Sequence, residues 1–195
     1  MRRTFLCTAT ITAIISVVFT ACSDSAASEK KQSVAMTKEE MIERGTYLVN
    51  TMGCDDCHSP KKMGPNGPEI IPELRLSGYP SDRPFTKADT NVVKKGWMLL
   101  SDDLTTAVGF WGQSFAANLT SDATGTGNWK EEQFIKALRE GKYKGLDNTR
   151  PLLLPMPWFV YKNLTDEDLK SIFAFLQTTK PVKNVVPAPR LFTQL

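Results

Sequence analysis

Apolar residues recur at helical spacing in three stretches of the chain, and each stretch carries its own start or stop signal. In "TKEEMIERGTYLVNTM" the residues Met41, Gly45, Leu48 and Met52 share one face. Thr37 can cap this helix while Glu40 reaches back to it, the pattern of a capping box. A second helix is expected from about Asn128 through "WKEEQFIKALREGK", with Phe134, Ile135 and Leu138 on one face and Gly141 as its stop. A third follows Leu164-Thr165, where a staple residue and a cap precede the apolar stripe Leu169, Ile172, Phe173 and Leu176, and Pro181 ends it. Residues 60 to 128 have no such period. Pro65, Pro68, Pro72, Pro80 and Pro84 predict irregular structure there, and "TAVGFWGQSFAANL" predicts one or two short strands, such as a short β-hairpin.

The beginning of the chain follows a different pattern. Met1-Arg2-Arg3 precedes the apolar run "TFLCTATITAIISVVFTAC" and then polar "SDSAASEKKQS", the order of an export signal. No later run is apolar for long enough to cross a bilayer. The end of the signal, "FTAC", resembles the lipobox of bacterial lipoproteins, with Phe19 where that motif usually has leucine. Residues 1–21 are therefore expected to be a signal peptide. Cys22 is expected to be the lipidated start of the mature chain, and 22–36 its flexible linker. Arg2-Arg3 also looks like a twin-arginine signal, but the chemistry argued below requires an unfolded chain outside the cytoplasm, which favours the general secretory route. The expected location is the periplasm or cell surface, tethered to a membrane through Cys22.

Composition adds constraints. With 195 residues, 41% of them hydrophobic and 23% charged, the chain suits one globular domain, expected over 37–187 with a short tail at 188–195. Arg2 and Arg3 account for two of the formal +3, and no acid lies in the first 21 residues, so the remainder carries only +1. Such a balance argues against nucleic acid as a partner. Weak local patches remain, Lys61-Lys62 directly after the motif among them, with a docking role set against the plainer reading of solvated surface.

Once Cys7 leaves with the signal and Cys22 carries lipid, Cys54 and Cys57 are the only thiols of the folded domain. They stand in "MGCDDCHSP". Cys-x-x-Cys-His is the attachment sequence of c-type haem: both thiols become thioethers, and the adjacent histidine is held as proximal ligand. Two intervening residues let one helical turn present both sulfurs to one edge of the ring. A structural zinc site would need four ligands, and this domain offers Cys54, Cys57 and His58. A thioredoxin-type pair would need a strand before it, where this sequence predicts a helix.

His58 is the chain's single histidine. A second histidine ligand from the same chain is thereby excluded, as is a histidine acid or base for peroxidase chemistry. The sixth position is left to methionine, lysine, the chain's amine, water or nothing. Among the methionines, Met98 and Met156 are far enough from the motif. Met156 lies in "LLLPMPW", where two prolines restrict the backbone and can hold a thioether still; its plain alternative is a core gap-filler.

Taken together, "RGTYLV", "MGCDDCHSP", "AANLTSDATGTGNWKEEQFIKALREGK" and "LPMPWFVYKNLTDEDLKSIFAFL" resemble the class I cytochrome c family, in particular the haem domains that serve periplasmic dehydrogenases. The match runs over about residues 38 to 187. The resemblance implies an all-α fold, here with a long Pro/Gly-rich insertion. It also implies a first and last helix in close approach at Gly45, with Tyr47 or Leu48 meeting Phe173 or Phe175, and axial ligation by His58 and Met156. Leu154 departs from the family, whose loop commonly has proline there. Trp111, Trp129 and Trp158 read as core or haem-crevice packing, with Trp129 the preferred candidate for the alternative role of donor to a haem propionate; Asn118 either does likewise or caps a turn.

The function expected from these features is one-electron transfer by a single covalent haem c. The donor would be a dehydrogenase or quinol-oxidising protein, and the acceptor a terminal oxidase. A haem-based ligand sensor and a dedicated haem subunit of one dehydrogenase complex are the alternatives. A catalytic role of its own is not expected.

Overall fold

The computed structural model describes residues 36–85 and 87–195. The expected signal peptide, Cys22 and all of the linker but Met36 lie outside the described residues.

Helix α1 (Lys38–Thr51) begins as the sequence predicts: Glu40 N–H donates to Thr37 Oγ1 at 3.2 Å and Thr37 N–H donates to Glu40 Oε2 at 2.7 Å. Its buried face is Gly45, Leu48 and Val49. Tyr47 points outward, 58% exposed, under the Arg44 guanidinium. After Gly53 the chain makes one further turn, α2 (Cys54–His58), which is the Cys-x-x-Cys-His segment itself.

The insertion then forms two small sheets separated by a short helix. β1 (Lys61–Gly64) pairs with β2 (Gly67–Ile70) as an antiparallel hairpin. Helix α3 (Thr90–Lys94) precedes a three-stranded antiparallel sheet of β3 (Leu99–Leu100), β4 (Thr106–Gly109) and β5 (Gly112–Phe115), in the order β3-β4-β5. The described residues thus combine helices with five short strands, all of them in the insertion. The physical reason is local. With Pro65, Pro68 and Pro72 in the stretch no helix can propagate, and "GPNG" supplies the Asn-Gly turn that closes a hairpin.

Helix α4 (Glu131–Glu140) starts three residues later than expected, because Trp129 N–H closes a separate turn on Thr126 O at 3.0 Å. It stops at Gly141, whose φ of 64° favours glycine; a Cβ there would also fall 2.6 Å from the Trp158 ring. A loop leads to α5 (Trp158–Tyr161) and α6 (Asp166–Leu176), the latter capped by Thr165 Oγ1 accepting from Asp168 N–H at 3.0 Å. Leu169 is fully buried and Leu164 packs against the same core.

The core forms where α1, α4 and α6 meet, with Leu48, Val49, Phe134, Leu138, Phe173 and Phe175 among its members. Gly45 is what lets α1 and α6 approach: a Cβ there would lie 1.9 Å from Ser171 O. Residues 188–195 are not a loose tail. Arg190 exchanges backbone hydrogen bonds with Gln113 of β5 at 2.8 and 3.0 Å, and Phe192–Gln194 form a 3-10 turn. No described helix is long and apolar enough to cross a membrane.

Candidate functional site

α2 opens onto a cavity that Cys54, Cys57 and His58 all line. The helical i, i+3 spacing puts both sulfurs on the same side of that turn. His58 Nδ1 lies 2.7 Å from the carbonyl oxygen of Ala117. A carbonyl can only accept, so Nδ1 carries the proton and Nε2 keeps its lone pair. Enclosure of the ring pushes its pKa down, only partly offset by the Ala117 contact and by Asp55. The imidazole is thus neutral and oriented, the state in which it ligates a metal.

The thiols have the opposite character from a redox pair. Burial pushes Cys54 up to about 11, and burial together with Asp56 raises Cys57. A reactive Cys-x-x-Cys needs a lowered thiol pKa, and the segment before this one is a helix rather than a strand. Zinc fits no better. Among the described residues no three His, Cys, Asp or Glu side chains gather as a metal site.

Several side chains fix the motif turn in place. Arg75 grips the Asp55 carboxylate through Nε at 3.1 Å and Nη2 at 2.7 Å and reaches Asn50 Oδ1 at 2.6 Å, tying α2 to α1. Ser59, fully buried, donates to Asp55 Oδ1 at 2.6 Å and accepts from Leu76 N–H. Lys61 Nζ lies within hydrogen-bond distance of the carbonyls of Asp55, Asp56, Ser59 and Asp103 at 2.6–3.2 Å. A cation at the C-terminal end of a helix is favourably placed. This Lys61 is committed to the protein's own backbone, so the Lys61-Lys62 docking patch is reduced to Lys62. Tyr161 donates its hydroxyl to Met52 O at 2.7 Å, and its own ionisation is pushed up to about 12 by burial.

Met156 lines the same cavity and packs against the core. Its loop is held at three points: Leu152 N–H donates to Gly141 O at 2.7 Å, Met156 N–H to Leu153 O at 3.2 Å, and Ser114 Oγ of β5 to Leu154 O at 2.6 Å. Met98 is 44% exposed and does not line the cavity. Trp129 lines it, and its indole N–H meets no acceptor among the described residues. Asn118 does not line it. Its Oδ1 accepts from the Thr120 N–H and hydroxyl at 2.9 and 2.8 Å, and its Nδ2 donates to Val182 O at 2.8 Å and Thr124 Oγ1 at 3.1 Å. The amide has no free group for a ligand; of the two expected roles, it takes the structural one.

No family model matches the chain. Three curated proteins are similar to it. Over 186 residues it is 29% identical to the fructose dehydrogenase cytochrome subunit of Gluconobacter japonicus, a match covering 94% of this chain and 30% of that protein. It is 27% identical over 146 residues to the gluconate 2-dehydrogenase cytochrome c subunit of Pantoea cypripedii, covering 74% and 24%. The chain is related to cytochrome subunits of dehydrogenases. A shorter match of 82 residues, at 30% identity, is to a nicotinate dehydrogenase subunit of Pseudomonas putida and covers 42% of this chain and 7% of that protein. The chain thus spans less than a third of the length of these relatives.

Several contributors to this site are not evident in the sequence. The Ala117 carbonyl is backbone and carries no side-chain signal. Asp55 reads only as a spacer between the cysteines until Arg75, 20 residues away, folds onto it. Tyr161 lies more than a hundred residues from the carbonyl it bonds.

Proposed function

We propose that this chain is a monohaem c-type electron carrier of the class I kind, acting as or with the haem subunit of an exported dehydrogenase. The observation that carries the reading is the pinned, neutral His58 sharing one cavity with Cys54, Cys57 and Met156. In this reading Cys54 and Cys57 hold one haem as thioethers, His58 offers Nε2, and Met156 offers its sulfur from the 151–157 loop. A bound haem c supplies one reversible one-electron couple. The residues around it set the conditions of that couple: the apolar walls disfavour the extra charge of ferric iron, and a methionine ligand raises the potential relative to a second histidine. The Asp55–Arg75 pair and Lys61 keep the motif turn from moving as the charge changes. A dehydrogenase is the electron donor, in keeping with the names of the relatives, and a terminal oxidase is the acceptor.

Haem retention tests the reading. Acid-acetone treatment of the purified protein should leave haem on the chain, and Cys57→Ala should lose most of the holoprotein. Release of free haem from the unmodified chain would sink covalent attachment.

The same reading places the protein outside the cytoplasm, anchored through Cys22. Cell fractionation should find the unmodified protein in the membrane fraction and Cys22→Ser in the soluble periplasmic fraction. An unmodified protein that is already soluble would rule the anchor out.

A further inference from the structure

The cavity lining is mostly apolar, with hydroxyl groups from Thr105, Thr106, Ser114 and Thr126, and among the described residues that line it Arg150 is the only one that carries a permanent charge. Its guanidinium is stacked on the Tyr143 ring, 4.0 Å from the centroid, and Tyr143 also lines the cavity. Its one hydrogen bond among the described residues runs from Nη1 to the neighbouring Pro151 carbonyl at 2.9 Å. Four other arginines, Arg44, Arg75, Arg83 and Arg139, are each paired with an aspartate. Arg190 has no acid either, but is taken up by Gln113 Oε1 and the Gln194 carbonyl. Among the described arginines Arg150 alone lines the cavity, and no described acid pairs with it. Enclosure disfavours the cation, and a partly buried charge is tolerated when something pairs with it.

The structure assigns Arg150 as the counter-charge for an anionic group of the cavity's ligand, with Tyr143 holding its guanidinium flat and its remaining donors free. The assignment rests on the haem reading above, in which the anion is a propionate carboxylate. A planar guanidinium suits a carboxylate because two parallel N–H donors can meet two oxygens. Trp129 N–H, also without a partner at the cavity, is a second donor for the same kind of group. In this role Arg150 is a positioning and potential-setting residue: its fixed positive charge in the wall of the cavity would disfavour the ferric state of a haem held there.

Redox titration of purified holoprotein at one pH and ionic strength, on the full chain and the variants Arg150→Lys and Arg150→Met, tests the assignment. Arg150→Met removes the charge at similar length. Its ferrous-to-ferric ratio at a fixed ambient potential should fall roughly three- to tenfold, the scale of one unit charge in a partly buried site. Arg150→Lys keeps the charge and loses the fork, and should stay close to the unmodified protein. Should Arg150→Met not accumulate, Arg150→Gln carries the same criterion. Covalent haem with an unchanged potential in the neutral variant overturns the assignment, as does a fall equal in the lysine and neutral variants, which would mark a packing role. An unmodified chain without covalent haem overturns instead the reading on which the assignment rests.

Discussion

Gly45→Ala should destabilise the protein by about 2 kcal/mol or more, although helix propensity alone favours alanine over glycine by about 1 kcal/mol. The close approach of two helices decides against propensity. A Cβ at Gly45 falls 1.9 Å from the Ser171 carbonyl oxygen, 2.6 Å from its carbonyl carbon and 2.8 Å from Phe175 Cβ. Two of these atoms are α6 backbone, so no change of rotamer relieves the contact, and α1 and α6 have to move apart. That movement loosens the packing of Leu48 and Val49 against Leu169, Ile172 and Leu176, all of them buried. Overpacking a core costs about 1–3 kcal/mol and occasionally more; a backbone clash belongs at the upper end. Against a total stability of about 5–15 kcal/mol, the midpoint of urea unfolding, measured in one haem state, should fall clearly. A variant as stable as the unmodified chain would mean that α1 and α6 do not meet closely at this point.

The same helices are the part of the fold most legible in the sequence, because each carries its signals within a few residues. Thr37 and Glu40 cap α1, Thr165 caps α6, and Gly141 closes α4; all three devices operate as expected. The insertion is legible only in part. β4 and β5 fall within the stretch expected to hold short strands, whereas the β1–β2 hairpin is not anticipated, although Asn66-Gly67 marks its turn. Its proline content outweighs that signal. The C-terminal stretch reads as a tail because what holds it is distant in sequence. Arg190 exchanges backbone hydrogen bonds with Gln113 at 2.8 and 3.0 Å, and its guanidinium donates to Gln113 Oε1, 77 residues away. Pairings of that separation leave no periodicity to detect.

The site divides along the same line. Cys54, Cys57 and His58 lie within one five-residue motif, so the sequence alone singles them out as candidates. What orients them is spread over the fold: the Ala117 carbonyl, the Arg75 guanidinium and the Tyr161 hydroxyl come from three other segments. Arg150 and Met156 stand between, six residues apart in one loop. The flanking prolines mark Met156; nothing local distinguishes Arg150 from any surface arginine, since its meaning lies in a cavity without another charge.

Met156 is also the residue on which carrier and sensor part. If its sulfur occupies the sixth position, the ferrous protein should bind carbon monoxide poorly and the ferric protein should show the weak sulfur-to-iron charge-transfer band. Met156→Ala should abolish that band and make carbon monoxide binding ready. It should also lower the potential by on the order of a few tenths of a volt, part of the roughly 0.8 V that axial ligation spans, because the soft thioether's preference for ferrous iron is lost. The loop itself should survive the change, since Leu152 N–H, Met156 N–H and the Leu154 carbonyl are held by hydrogen bonds that alanine leaves intact. Met98→Ala is the control: that side chain is 44% exposed and outside the cavity lining, so its loss should move none of these readings. Ready binding of carbon monoxide by the unmodified protein, with no charge-transfer band, would mean an open sixth position. Ligand sensing would then be the better account of a haem held by Cys54, Cys57 and His58.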